Sequence, residues 1–292
     1  MMKINIVGIF YAFIWASGAI ATKIGLFSAS PLIFASVRLL CAGIILFLFV
    51  YIFRNYRYPK GSEWANLIIL GILNTTLYVG CSFLSLAYVD STIFNLFITI
   101  NPFIVAFLSS IFLHRKIGQK EILGMAISAF GIMIAIVPYL ESLNATLFGL
   151  ITLGVGVLSM GIGSVFYNKI QLNLPQIVVN TWQIIFGSLI AIPFVFLLEP
   201  NFYIQFDPYF LSGLFWQVVM TSIIAMILWF YLLKFDAVRA NNFLFLTPIF
   251  GYILSAIFLN EMLTVYHYVG ALFVIAGTFF SQSMKKRQHG NS

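Results

Sequence analysis

NPFIVAFLSSIFLHRKIGQKEILG, residues 101–124, and TPIFGYILSAIFLNEMLTVYHYVG, residues 247–270, are two versions of one segment. At a shift of 146 residues, seven of their 24 positions are identical: Pro102 with Pro248, Leu108 with Leu254, Ser109 with Ser255, Ile111 with Ile257, Phe112 with Phe258, Leu113 with Leu259 and Gly124 with Gly270. About two identities would arise by chance in so apolar a composition. The same shift pairs Lys23 with Lys169, Asp90 with Asp236, Asn95 with Asn241 and Gly131 with Gly277. The chain therefore reads as a duplication, with halves 1–146 and 147–292.

Both halves are written for lipid. Of 292 residues, 62% are hydrophobic and 8% charged, too few polar side chains to cover a water-facing surface. A hydrocarbon core of roughly 30 Å takes about 20 apolar helical residues. Apolar runs begin near residues 4, 32, 65, 91, 119, 147, 176, 210, 237 and 265, which predicts an all-α membrane protein of ten transmembrane helices, five per half. Runs such as Leu39 to Phe53 and Ile122 to Pro138 are continuously apolar, not alternating, so they are helices and not barrel strands. The first run, Ile4 to Ala21, follows Lys3 and ends in small residues, as a cleaved signal peptide would; Trp15 inside it and its counterpart in the second half favour a retained span.

Charge sets the orientation. With the N-terminus inside, 13 of the 15 Lys and Arg fall on the inner side, among them Arg54, Arg57, Lys60, Arg115, Lys116, Lys234 and the tail at Lys285 to Arg287. Five of the eight acids, Asp90, Glu141, Glu199, Asp207 and Glu261, fall on the outer side. An odd number of spans per half forces the second half to enter from the opposite face. The basic loop at Arg54 to Lys60 corresponds to the acidic stretch Glu199 to Asp207, so each half is charged for its own orientation. The expectation is a multi-pass membrane protein with both termini on the inner, cytoplasmic side. The net charge of +7 is scattered between apolar runs, which suits anionic inner lipids and argues against nucleic acid.

Pro248, Leu259, Glu261 and Gly270 form a proline-containing helix, an apolar stretch ending in Leu-x-Glu, and a glycine opening the last helix. In this the chain resembles the EamA-type family of the drug/metabolite transporter superfamily. Pro102, Leu113 and Gly124 fit the same pattern in the first half, where Arg115 stands in place of the glutamate. Trp15 in the first span, Lys23 at its end and Arg38 after Pro31 are also family-like. The resemblance covers the whole chain. It implies ten helices in two five-helix repeats and export of amino acids or related metabolites; the family also includes uptake systems.

A polar solute needs polar groups at mid-membrane, and those are few. Asn74, Thr75, Thr76 and Tyr78 lie in span three, Asn95 and Asn101 in span four, and Ser159, Ser164, Tyr167, Gln217, Thr221, Ser222, Asn241 and Asn242 in spans six, eight and nine. Neutral amides can bind a zwitterion without burying a permanent charge. They serve equally well as bonds between helices. The substrate-binding candidates are Trp15, Asn74, Tyr78, Asn95, Tyr167, Asn241 and Asn242. Arg38 lies about two turns inside span two and is a candidate for anion binding or gating, or for a structural bond to a helix end or to Asp90. Lys23, Lys169 and Glu261 are candidate gating or structural charges at span ends. Small residues four apart, Gly131 with Ala135 and Gly277 with Ser281, mark close packing faces.

An enzyme would need a nucleophile, a metal set or paired carboxylates. All eight acids lie in loops or at helix ends, and His114, His267 and His289 share no ligand spacing. Neither cofactor nor metal is implied, and the cysteines Cys41 and Cys81 have no disulfide or zinc spacing. The partners expected are a small-molecule substrate and the bilayer, with a homodimer left open. A lipid-carrier flippase or nucleotide-type metabolite transporter would use the same fold, and a non-transporting scaffold is the remaining alternative.

Overall fold

The structure is a computed structural model, and it describes residues 2–137, 146–258 and 264–282. Among the described residues it is built of helices and loops, with an isolated antiparallel bridge joining Ala29 and Ile204. The first half carries α1 (Met2–Gly25), α2 (Pro31–Phe53), α3 (Ser62–Leu86), α4 (Ser91–Ile98), α5 (Asn101–Phe112) and α6 (Gln119–Ile136). The second carries α7 (Leu147–Ile170), α8 (Gln176–Leu198), α9 (Pro208–Leu233), α10 (Ala237–Phe258) and α11 (Val265–Gln282). Seven of them, α1 to α3 and α7 to α10, are long and apolar enough to cross a membrane. The protein is thus an all-helical, multi-pass membrane protein.

Local chemistry explains where helices begin. Asp207 caps α9 by accepting from the Phe210 N–H at 2.8 Å, with Pro208 in the first turn. Asp236 caps α10 through the Arg239 N–H at 2.9 Å, and Thr146 caps α7 through the Gly149 N–H at 3.1 Å. Each side-chain oxygen satisfies a backbone donor that has no partner inside the helix. Pro102 and Pro248 lack the N–H that would bond the carbonyl four residues back. The chain accordingly turns at residues 99–100 between α4 and α5, and at the equivalent place in α10, Phe243–Leu246 tighten into a 3₁₀ turn. Thr247 Oγ1 donates to the freed Leu244 carbonyl at 2.7 Å.

The two halves interlock. Helix α1 packs on α9 and α10, and its repeat equivalent α7 packs on α3 and α5, the equivalents of those two. The self-equivalent pairs α2/α8 and α6/α11 also pack together. In α6/α11, a Cβ on Gly124 would stand 2.6 Å from the Gly277 carbonyl, and one on Gly131 would stand 2.6 Å from that of Gly270. Residue numbers rise along one helix as they fall along the other, so these equivalent helices run antiparallel. Ser128 Oγ donates to the Val274 carbonyl at 3.3 Å, and 128 and 274 are themselves 146 apart, which puts a pseudo-two-fold axis between them. The small faces at Gly131 and Gly277 thus meet glycines of the partner helix, and Ser281 lies against Gly124.

Charge is sorted between the ends of the bundle. At one end Arg57 pairs with Glu63 at 2.7 Å and donates to the Asn173 carbonyl. At the same end Arg115 pairs with Glu121 at 2.6 Å and Asp236 at 2.7 Å, and Lys169 lies over the Phe112 ring. Arg115, which replaces the expected glutamate, therefore ties the α5–α6 loop to the start of α10. At the other end Ser28 Oγ donates to Asp207, and the Leu32 and Ile33 N–H groups at the start of α2 donate to Glu199. Burial pushes the Glu199 carboxyl above its usual range against the pull of those donors.

Candidate substrate cleft

Helices α3 and α9 are equivalent, and both widen to π-helical geometry at the same depth, over Gly71–Leu77 and Gln217–Ala225. Such turns are rare and gather at functional sites, because the extra residue per turn re-aims side chains. Asn74 and Thr75 of one stretch and Gln217, Thr221 and Ser222 of the other border a central cleft between the halves. The cleft has two narrow chambers, with cavity volumes of about 20 and 40 Å³, which share Trp15, Arg38, Tyr78 and Val79.

The first chamber, lined also by Asn74, Met160, Gln183, Met226 and Trp229, lies nearer the basic end. The second reaches Thr22, Leu86 and Phe94, toward the end that carries Asp207. Trp15 stacks on Tyr78 at 5.8 Å between ring centres and leans on Tyr11, which stacks in turn on Trp229 at 5.0 Å. Flat rings of this kind give an apolar wall with a polar edge.

A hydrogen-bond chain runs round the first chamber. Asn74 Nδ2 donates to Gln183 Oε1 at 3.1 Å, Gln183 Nε2 to Asn180 Oδ1 at 3.1 Å, and Asn180 Nδ2 to the Ser222 carbonyl at 2.7 Å. Arg38, only 6% exposed, joins it by donating from Nε to Ser222 Oγ at 2.9 Å, and its guanidinium lies 5.1 Å from the centre of the Phe83 ring. Its partners are thus Ser222 and Phe83, and Asp90 is not one of them. In the second chamber Gln217 Nε2 donates to the Gly18 carbonyl and to Thr22 Oγ1, both at 2.6 Å, and ties α9 to α1.

Of the residues expected to bind substrate, the structure brings Trp15, Asn74 and Tyr78 together in this cleft. Asn95, Asn241 and Asn242 lie outside its lining. Asn241 Oδ1 accepts from Asn101 across the α5–α10 contact, Asn95 packs against Gly251 of α10, and Asn242 Nδ2 donates to Ser281 at 3.3 Å. Tyr167 packs on Phe230 and borders a separate hollow near the basic end with Asn168 and Lys234. Lys23 and Lys169 lie in the last turns of α1 and α7, and Glu261 falls outside the described residues. Sequence reading passed over Asn180 and Gln183; two amides three residues apart in the apolar run of α8 were the available signal.

A family model described as the EamA-like transporter family matches residues 2–137 and again 147–282. The chain belongs to the EamA-like family. As an EamA-like protein it is a transporter and not an enzyme, and several of its relatives carry transporter names. The uncharacterized transporter YoaV of Bacillus subtilis is 24% identical over 96% of this chain and 97% of its own length. The protein PecM of Dickeya dadantii is 25% identical over 97% of this chain and 93% of its own length. A probable amino-acid metabolite efflux pump of Escherichia coli is 20% identical over 96% and 94%. A solved crystal structure, 14% identical, superimposes with a TM-score of 0.78 over 96% of both chains, a likeness of fold.

Proposed function

We propose that this EamA-like protein is a secondary transporter that exports a small polar or amphipathic metabolite, an amino acid or derivative, across the bacterial cytoplasmic membrane by alternating access. Ten spans form two inverted five-helix repeats, 1–146 and 147–292, with both termini inside. The observation that carries the reading is a largely apolar cleft with a few polar side chains, assembled from both halves and flanked by π-helical turns at equivalent positions. The antiparallel crossing of the equivalent helices α6 and α11 supports the inversion. Trp15, Asn74 and Tyr78 hold the cargo in this reading, and the efflux-pump name of one relative supports the export direction.

Untargeted metabolite profiling of cells with and without the protein tests it. The expected result is depletion of one compound class inside the cells and its appearance in the medium, reproduced as flux in proteoliposomes. Unchanged profiles and no flux would overturn it. A pH gradient across the same vesicles shows whether flux is proton-coupled.

One observation favours an amphiphile as cargo. An apolar groove of about 220 Å³ between α2, α3 and α8, lined by Leu32, Ala35, Leu84 and Phe194, shares Leu39 and Thr75 with the cleft. Transfer of a labelled amphiphile between leaflets, with no flux of water-soluble metabolites, selects the flippase form of this reading.

A further inference from the structure

We propose that Arg38 is the anion-binding residue of the cleft and that the cargo is a monoanionic organic carboxylate with no free ammonium group. This rests on the transporter reading above and narrows the substrate class of the same site. Arg38 is buried, borders both chambers, and has one hydrogen bond to a described residue, from Nε to Ser222. Its two terminal nitrogens donate to no described residue, although a guanidinium offers five N–H groups in a fork matched to a carboxylate.

No aspartate or glutamate lines either chamber. A buried charge without a counter-ion is costly, and a carboxylate entering here would neutralise it. A zwitterion would instead leave the cleft with its net positive charge, and its ammonium would find no carboxylate in the lining to pair with. Trp15, Tyr78 and Trp229 supply the apolar wall for the rest of the molecule. The repeat equivalent of Arg38 is Ile184, so one anion site is built and not two.

The test uses the full chain in lipid nanodiscs with four probes of one shape: phenylacetate, phenylacetamide, phenethylammonium and L-phenylalanine. Binding is read from tryptophan fluorescence and thermal shift. Phenylacetate should bind saturably and at least ~10-fold more tightly than the other three, and Arg38→Gln should remove that preference. Where Arg38→Gln fails to insert, Arg38→Lys should bind phenylacetate more weakly yet still prefer it to the amide.

Equal binding of acid and amide, unaltered binding by Arg38→Gln, or no binding of phenylacetate overturns the proposal. Flux of the same probes in proteoliposomes separates this from the parent reading. Arg38-independent flux of phenylalanine without phenylacetate flux overturns the anion assignment and leaves a transporter. Arg38-dependent binding of phenylacetate with flux of nothing upholds the site and removes the transport reading.

Discussion

The cleft and the seam where α4 and α5 meet α10 are both furnished with amides and hydroxyls from the two halves, and they use them in opposite ways. In the seam the repeat symmetry is kept. Asn101 Nδ2 donates to the side-chain Oδ1 of Asn241, and Thr247 Oγ1 lies 3.4 Å from the main-chain carbonyl of Asn95; since 101 matches 247 and 95 matches 241, equivalent positions meet twice, once through a side chain and once through the main chain. In the cleft the symmetry is broken at most positions, although the matched pair Thr75 and Thr221 both border it. Trp15, Arg38, Asn74 and Tyr78 have Gly161, Ile184, Met220 and Ile224 as their equivalents. The chain keeps matched polar positions where its copies meet, and departs from the match at Trp15, Arg38, Asn74 and Tyr78, as the proposed binding of a single unsymmetrical molecule requires.

The widest separation between the two regions is expected in transport. Trp15→Ala and Asn74→Ala should lower flux of the cargo by roughly tenfold or more at equal insertion, because the first removes a wall and the second opens the bond chain to Gln183. Flux within about twofold of wild type in both would move the site out of the cleft.

Asn241→Ala should do the reverse: a loss of about 0.5–1.5 kcal/mol in reversible unfolding, with flux per inserted molecule within about twofold. A large flux defect at unchanged stability would return Asn241 to the substrate site. The symmetric bonds can then be compared with each other. A double-mutant cycle on Asn101 and Asn241 should give about 0.5–1 kcal/mol of coupling. Thr247→Val should cost less than about 0.5 kcal/mol through the seam, because its contact with Asn95 is long and its hydroxyl is already bonded to Leu244.

The smallest effect lies at the bundle end, away from both regions. The Phe210 N–H and Ser28 hydroxyl hold the half-buried Asp207 carboxyl below its usual range. Its support is therefore present above the ordinary aspartate value near ~3.9 and fades as pH falls through the lower folded value. Melting of Asp207→Asn in detergent should show a slightly shallower acid decline than wild type; an identical decline would remove Asp207 from the account.

Helix positions were largely legible in the sequence, and helix faces were not. The expected starts near 119, 147, 176, 237 and 265 coincide with those of α6, α7, α8, α10 and α11, because breaks and caps such as Gly118, Thr146 and Asp236 are local signals. Which side of a helix faces a cavity leaves no such mark. Lipid is as apolar as the protein core, so hydrophobic periodicity does not separate an Asn that lines a cleft from one that bonds a neighbour. Repeat symmetry drew attention to Asn95 and Asn241, and symmetry is what a structural pair shares. The π-helical turns depend on how α3 and α9 pack, with Gly71 pressed against Gly187 of α8, and no residue pattern announces them.

The glycine crossing of α6 and α11 has a mechanical consequence. Each backbone fills the space where the other's Cβ would be, so neither helix can slip or roll past its twin without main-chain collision. In the proposed alternating-access cycle these two would travel as a single strut. On that reading α6 and α11 together form a keel for the rest of the bundle.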